Sequence, residues 1–142
     1  MSHPRRKIGC EGERPQVMPG SAPIYMQERY QSLLAAHDGS EARLLACRSG
    51  EHTSWLPMLV RDVGDDTREA YSAYGYGGFF GELRLLEEDI GDLRVHLADA
   101  GIAALFLRHT PFLANQSALP DDLTRLNRHT YTATLQGGGG SF

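Results

Sequence analysis

The stretch from Tyr71 to Gly81, YSAYGYGGFFG, sets four glycines among aromatic side chains. Glycine gives up more backbone freedom on folding than any other residue, so such a density works against a regular strand. The segment predicts an irregular aromatic-glycine strand, bent or approached closely by another group. Its flanks decide the architecture. Upstream, Ala42 to Arg48 (ARLLACR) is a short apolar run, Ser49-Gly50 is a hairpin-type turn, and Ser54 to Val63 (SWLPMLVRDV) is the partner strand. Pro57 lacks a donor and demotes that partner to an edge or bulged strand. Gly64-Asp65-Asp66 forms a second turn.

Downstream, Leu86, Ile90, Leu93, Leu97 and Ala100 repeat at helical spacing, which predicts an amphipathic helix over about Glu87 to Ala100. Glu87, Glu88 and Asp89 crowd its first turn, where the helix dipole favours acids. Gly101 ends it, and Ile102 to Arg108 (IAALFLR) is a continuous apolar run of the kind found in buried strands. Pro111 and Pro120 bracket a loop or short helical turn, and His129 to Leu135 (HTYTATL) alternates as a final strand. Ahead of all this, Ser21 as N-cap and Pro23 in the first turn predict a helix with Met26, Tyr30, Leu33, Leu34 and His37 on one face. Gly39 closes it. The order of elements is that of an α/β protein, a mixed β-sheet with helices packed on it.

Composition bounds the rest. The 142 residues suit one domain, and 41% hydrophobic content is enough for a core. We divide the chain into a disordered arm (1–20), a single α/β domain (21–136) and a Gly-rich tail (137–142) without a packing role. No apolar run approaches the roughly 20 residues needed to cross a bilayer, so no membrane association is expected. The N-terminus is basic but has no apolar stretch behind it, which is not a secretory signal. A net charge of −4 argues against a nucleic-acid binder, despite the Arg5-Arg6-Lys7 cluster. The two cysteines, Cys10 in the arm and Cys47 in an apolar run, show no metal or redox spacing, consistent with a reduced, cytoplasmic chain.

The usual signatures of catalysis are missing. The six histidines form no H-x-x-x-H pair and none lies near a cysteine at ligand spacing, so no metal site is expected. The glycine runs lack the Lys-Ser/Thr of a phosphate-binding loop, and there is no G-x-S-x-G elbow. Glu88 and Asp92 share a helix face, as a solvated surface does.

Two segments remain, Y-S-A-Y-G-Y-G-G at 71–78 and F-L-R-H-T-P-F-L at 106–113. The first resembles the S-P-Y-G-Y-G-G signature of the FemAB-like branch of the GNAT acyltransferases, which there precedes a helix and a strand reading F-x-R-x-H-P-L. Ser72, Tyr74, Gly75, Tyr76, Gly77 and Gly78 match, followed by the Leu86–Ala100 stripe and then Phe106, Arg108, Pro111 and Asn115. The closing TYTATL is similar to the family's next strand, and the resemblance spans roughly residues 24 to 136. Ala73 stands in place of the usual Pro, and Thr110 in place of His, with His109 one position early. Members of that family carry two such domains in tandem, and the resemblance covers only the first.

The resemblance implies a GNAT-like half-domain acting as a component of an N-acyl or aminoacyl transferase. This half would form the acceptor-side wall of the cleft, with a second copy or a partner chain supplying the rest. It implies no tightly bound cofactor, with acyl-CoA or aminoacyl-tRNA as co-substrate and a small-molecule amine as acceptor. Tyr74, Tyr76 and His109 become the candidate catalytic residues; Ser72, Gly75, Gly77, Gly78, Arg108 and Asn115 become the candidate substrate-binding ones. Each has a plainer reading beside it. The tyrosines suit sheet packing, Arg108 suits an ion pair with Asp62, Asp66 or Asp99, and His109 suits an ordinary loop histidine. A non-catalytic module that binds a substrate or partner through the aromatic-glycine surface is the alternative function.

Overall fold

The apolar runs separate into two sets by their alternation, and each set finds its own cover. The computed structural model describes residues 9–11, 18–49, 51–110, 113 and 115–120. Six strands and two α-helices follow in the order β1 (Gly9–Glu11), α1 (Glu28–Asp38), β2 (Glu41–Ser49), β3 (His52–Gly64), β4 (Thr67–Tyr71), β5 (Phe80–Gly81), α2 (Glu87–Asp99) and β6 (Ile102–Phe106). Short 3₁₀ turns precede α1 (Ile24–Met26) and follow β6 (Asn115–Ala118). The strands form one mixed sheet ordered β1-β2-β3-β4-β6, with β5 pairing a separate part of β3. All pairs are antiparallel except β4 and β6, which run parallel with α2 between them in sequence. The architecture is thus mixed α/β.

Successive strand residues point to opposite faces, so one sheet buries two cores. On one face Leu45, Cys47, Leu56, Met58, Val60 and Ala70 meet Ile90, Leu93 and Leu97 of α2, together with Phe79, Leu83 and Leu85. On the other, Leu44 and Trp55 pack with Met18, Ala22 and Met26. There Leu59 and Ala73 pack with Ala35, flanked by Tyr30, Leu34 and Tyr71. Each large apolar side chain so buried contributes about 1.5–3 kcal/mol. The two helices therefore clamp the sheet from opposite sides. The α2 span agrees with its sequence periodicity almost to the residue, and Asp89, buried in its first turn, accepts a bond from Leu86 N at 2.7 Å.

Several expectations need correction. The first helix starts at Glu28 rather than near Ser21, because a separate 3₁₀ turn takes up Ile24–Met26. That break resets the helical phase. Gln31 and Ala35 are the buried positions, while Leu33 is 67% exposed and His37 lies in solvent. Gly39 does end the helix, in the left-handed conformation at φ +69°. Pro57 sits in an internal strand, opposite Leu44 of β2. It is tolerated because β4 pairs β3 from Leu59 onward and β5 pairs it at Ser54 and Trp55, which leaves Pro57 in the gap between them.

The Tyr71–Gly81 segment is not one strand. Tyr71 ends β4, Phe80 and Gly81 form β5, and the residues between are loop. Nor is the 102–108 run fully buried: β6 is the last strand of the sheet among the described residues, Ala103 is exposed and Phe106 is 65% exposed. Within the presumed arm, Gly9–Glu11 pair with Arg48, Cys47 and Ala46, and Met18 is buried. The proposed 129–135 strand and the Gly-rich tail lie outside the described residues.

Candidate functional site

Parallel strands β4 and β6 end side by side, at Tyr71 and Phe106. In open α/β sheets the carboxyl ends of parallel strands are where loops gather to meet ligands. Both segments singled out in the sequence emerge there, as the loop 72–79 after β4 and residues 107–110 after β6.

The two loops are tied together through main-chain groups. Ser72 N donates to Phe106 O at 2.9 Å, Arg108 N donates to Ser72 Oγ at 2.9 Å, and Gly77 N donates to Arg108 O at 2.6 Å. Gly77 and His109 form a parallel bridge. Asn115 then locks the assembly. Its Nδ2 donates to Gly77 O at 2.8 Å and Phe79 O at 3.1 Å, and its Oδ1 accepts from Thr110 N at 2.9 Å. With its three partners on both loops, Asn115 acts as a buried brace.

The glycines are required by contact and by φ. Gly75 has φ +103° and Gly78 φ +93°, a region L side chains rarely adopt. A Cβ on Gly78 would sit 2.7 Å from both Asn115 Nδ2 and His109 Nδ1, and one on Gly77 would collide with the Ser72 side chain. The backbone is close-packed here against the molecule's own groups. Gly81 is similarly confined, against Thr53 and Ser54 of β3.

The candidate catalytic residues do not share one pocket. Tyr76 meets Tyr25 edge-on at 6.1 Å between ring centroids, and Tyr25 Oη donates to Thr110 Oγ1 at 2.9 Å. Tyr74 accepts at its carbonyl a 2.6 Å bond from Tyr30 Oη, while its own side chain is 82% exposed. His109 instead lines an apolar groove of about 490 Å³ together with Phe79, Leu93, Leu105, Leu107 and Leu119. Burial holds its imidazole below the ordinary value of 6.5, so it is neutral near pH 7. Its Nδ1 is buried, with no hydrogen-bond partner among the described residues.

Arg108 is exposed, and the ion pairs among the described residues do not include it. Asp62 lies opposite Arg68, whose guanidinium reaches Glu41 and the Ala100 carbonyl. At the root of the loop, Tyr71 Oη donates to Asp38 Oδ2 at 3.2 Å and Arg61 stacks over the Tyr71 ring at 4.7 Å. The Asp38 carboxyl is held below the usual range first by His37 and then by Tyr71.

Three participants were not among the candidate residues. Tyr25 and Tyr30 come from the segment around α1, far away in sequence, and carry no local signal. Thr110, fully buried, was visible only as a departure from the family pattern. Among the described residues no cluster of three His, Cys, Asp or Glu could hold a metal ion, and no helix is long and apolar enough to cross a membrane. No protein-family model, curated protein or solved structure matches this chain.

Proposed function

We propose that this protein is the acceptor-side half of an N-acyl or aminoacyl transferase of the GNAT/FemAB kind. The surface at the carboxyl ends of β4 and β6 is then the wall against which the acceptor amine lies. One observation carries the reading: the two segments that bear the resemblance, separated by α2 in sequence, are hydrogen-bonded to each other there. A braced backbone suits transfer chemistry, which depends on holding an amine against a carbonyl. The amine nitrogen attacks the carbonyl carbon of a thioester or ester, the C–S or C–O bond breaks, and the departing thiol or alcohol takes the proton that the amine loses. Tyr74 offers a solvent-facing phenol to that surface, and the exposed Arg108 guanidinium offers charge to a carboxylate or phosphate. The donor site belongs to a second copy, a partner chain or a further domain.

A second reading is favoured by a different observation. Ser72, Asn115, Thr110 and Tyr25 all direct polar atoms inward, while Tyr74 and Phe106 project outward. Such a surface suits a non-catalytic module that docks a partner through aromatic contact.

Light scattering during size-exclusion chromatography, with melting curves in acetyl-CoA and in aminoacyl-tRNA, separates the two. The transferase reading expects a dimer or a co-substrate-induced rise in Tm, weakened in Tyr74→Ala and Arg108→Ala without loss of their own stability. A monomer indifferent to both co-substrates overturns it and leaves the docking module.

A further inference from the structure

We propose that the groove between α2 and β6 binds a small aliphatic monocarboxylate, its tail against the apolar walls and its carboxylate on Arg94. The groove holds about 490 Å³, a volume that suits one small organic molecule. On one side it is walled by α2 through Ile90, Leu93 and Leu97, and on the other by the chain from Ile102 to Leu107. That second wall is strand as far as Phe106, advancing about 3.3 Å per residue, so it offers an extended tail a continuous surface. Small side chains keep the groove open. Ala98 on the helix and Ala103 and Ala104 on the strand each line it with a single methyl group.

Charge selects the head group. Among the described residues that line the groove, Arg94 is the only one that carries a full charge, and no carboxylate stands beside it. His109, neutral near pH 7 because burial lowers its proton affinity, adds no second charge. Ile90, Arg94 and Ala98 follow at four-residue steps along α2, which sets the arginine in the row that lines the groove. Arg94 is exposed and enters none of the ion pairs among the described residues. A side chain of this kind lays its methylene stem on apolar surface and keeps its guanidinium in water, where the fork of N–H donors matches a carboxylate.

Other occupants match less well. An amine would meet a cation with no carboxylate near it. A stable protein interface buries about 800 Å² on each partner, whereas this groove has the size of a single small molecule. The site uses neither Tyr74 nor Arg108, so it stands whether or not the chain is a transferase.

Calorimetric titration of the full-length chain with hexanoate, octanoate and decanoate is the test. Saturable one-to-one binding is expected, tightening by about fifteenfold for each pair of added methylenes. Arg94→Gln should weaken octanoate by about three- to fivefold and leave 1-octanol, the same tail without the charge, unchanged. Ala98→Phe should fill the groove and weaken all three acids by about tenfold or more, the cost of excluding two methylenes. Both positions are exposed, so the two variants should melt with the wild type. Absent saturation, an affinity indifferent to tail length, or unchanged octanoate binding in either variant overturns the proposal. So does an Arg94→Gln loss that is equal for octanol and octanoate, because the arginine then acts by packing alone. Binding to phosphatidylglycerol vesicles without uptake of the free acids would assign this face to a membrane and overturn it as well.

Discussion

The side-chain amide of Asn115 donates to the carbonyls of Gly77 and Phe79, on either side of Gly78, whose absent side chain leaves room for it. The residue thus braces the loop after β4 from below while accepting from Thr110 N on the strand-end beyond β6.

Removing that brace should unfold the platform. Asn115→Ala strands two carbonyls and one N–H in a buried setting, at a cost of about 2–4 kcal/mol. Asn115→Asp should lose nearly as much, because a carboxylate oxygen then faces the two carbonyls. Urea denaturation of the three proteins measures both.

The loop glycines should differ from one another. Gly78→Ala forces a Cβ into a left-handed position against Asn115 and His109 and should cost about 2–4 kcal/mol. Gly75→Ala has similar φ but meets only Tyr30 Oη, at 3.7 Å, so about 1 kcal/mol is expected from backbone conformation alone. Equal losses in the two melting curves would refute the crowding at Gly78.

His109 predicts a pH dependence with a definite sign. Folding lowers its proton affinity, chiefly by burial, so below its ordinary value of 6.5 the unfolded chain binds more protons than the folded one. The contribution of the neutral imidazole is present above that value and is lost as pH falls through it toward the lowered folded value. Melting curves between about pH 7 and about pH 5 should therefore show a smaller decline in His109→Gln than in the wild type.

Helix α1 offers a test of which face is buried. Leu33→Ser should change stability by under about 0.5 kcal/mol, because the leucine already lies in solvent. Ala35→Leu, packed against Leu59 and Ala73, should cost about 1–3 kcal/mol through overpacking. Chemical denaturation of each variant gives the ordering.

Local pattern was legible wherever one physical cause dominated. The apolar stripe and first-turn acids of α2, the αL glycine after α1 and the turn at Gly64-Asp65-Asp66 each follow from the preferences of a few neighbouring residues. The exposure of Leu33 could not be foreseen, since it turned on where a 3₁₀ turn handed over to the helix. Pro57 misled for a related reason. A proline excludes a strand interior only if its missing donor would face a neighbour, and the gap between β4 and β5 is a property of strand placement.

The same division holds for the candidate site. By itself the sequence determined that residues 71–81 would be glycine-dependent and aromatic, and that the chain would be α/β. Only the tertiary structure decided that this loop and the end of β6 are hydrogen-bonded into one surface, that Tyr76 and His109 serve different sides of it, and that Cys10 stands opposite Cys47. Helix periodicity and turn chemistry act over a few residues. Strand register, parallel pairing and the reach of Tyr25 and Tyr30 to the loop join distant segments, and the burial of two sheet faces by two helices selects among them.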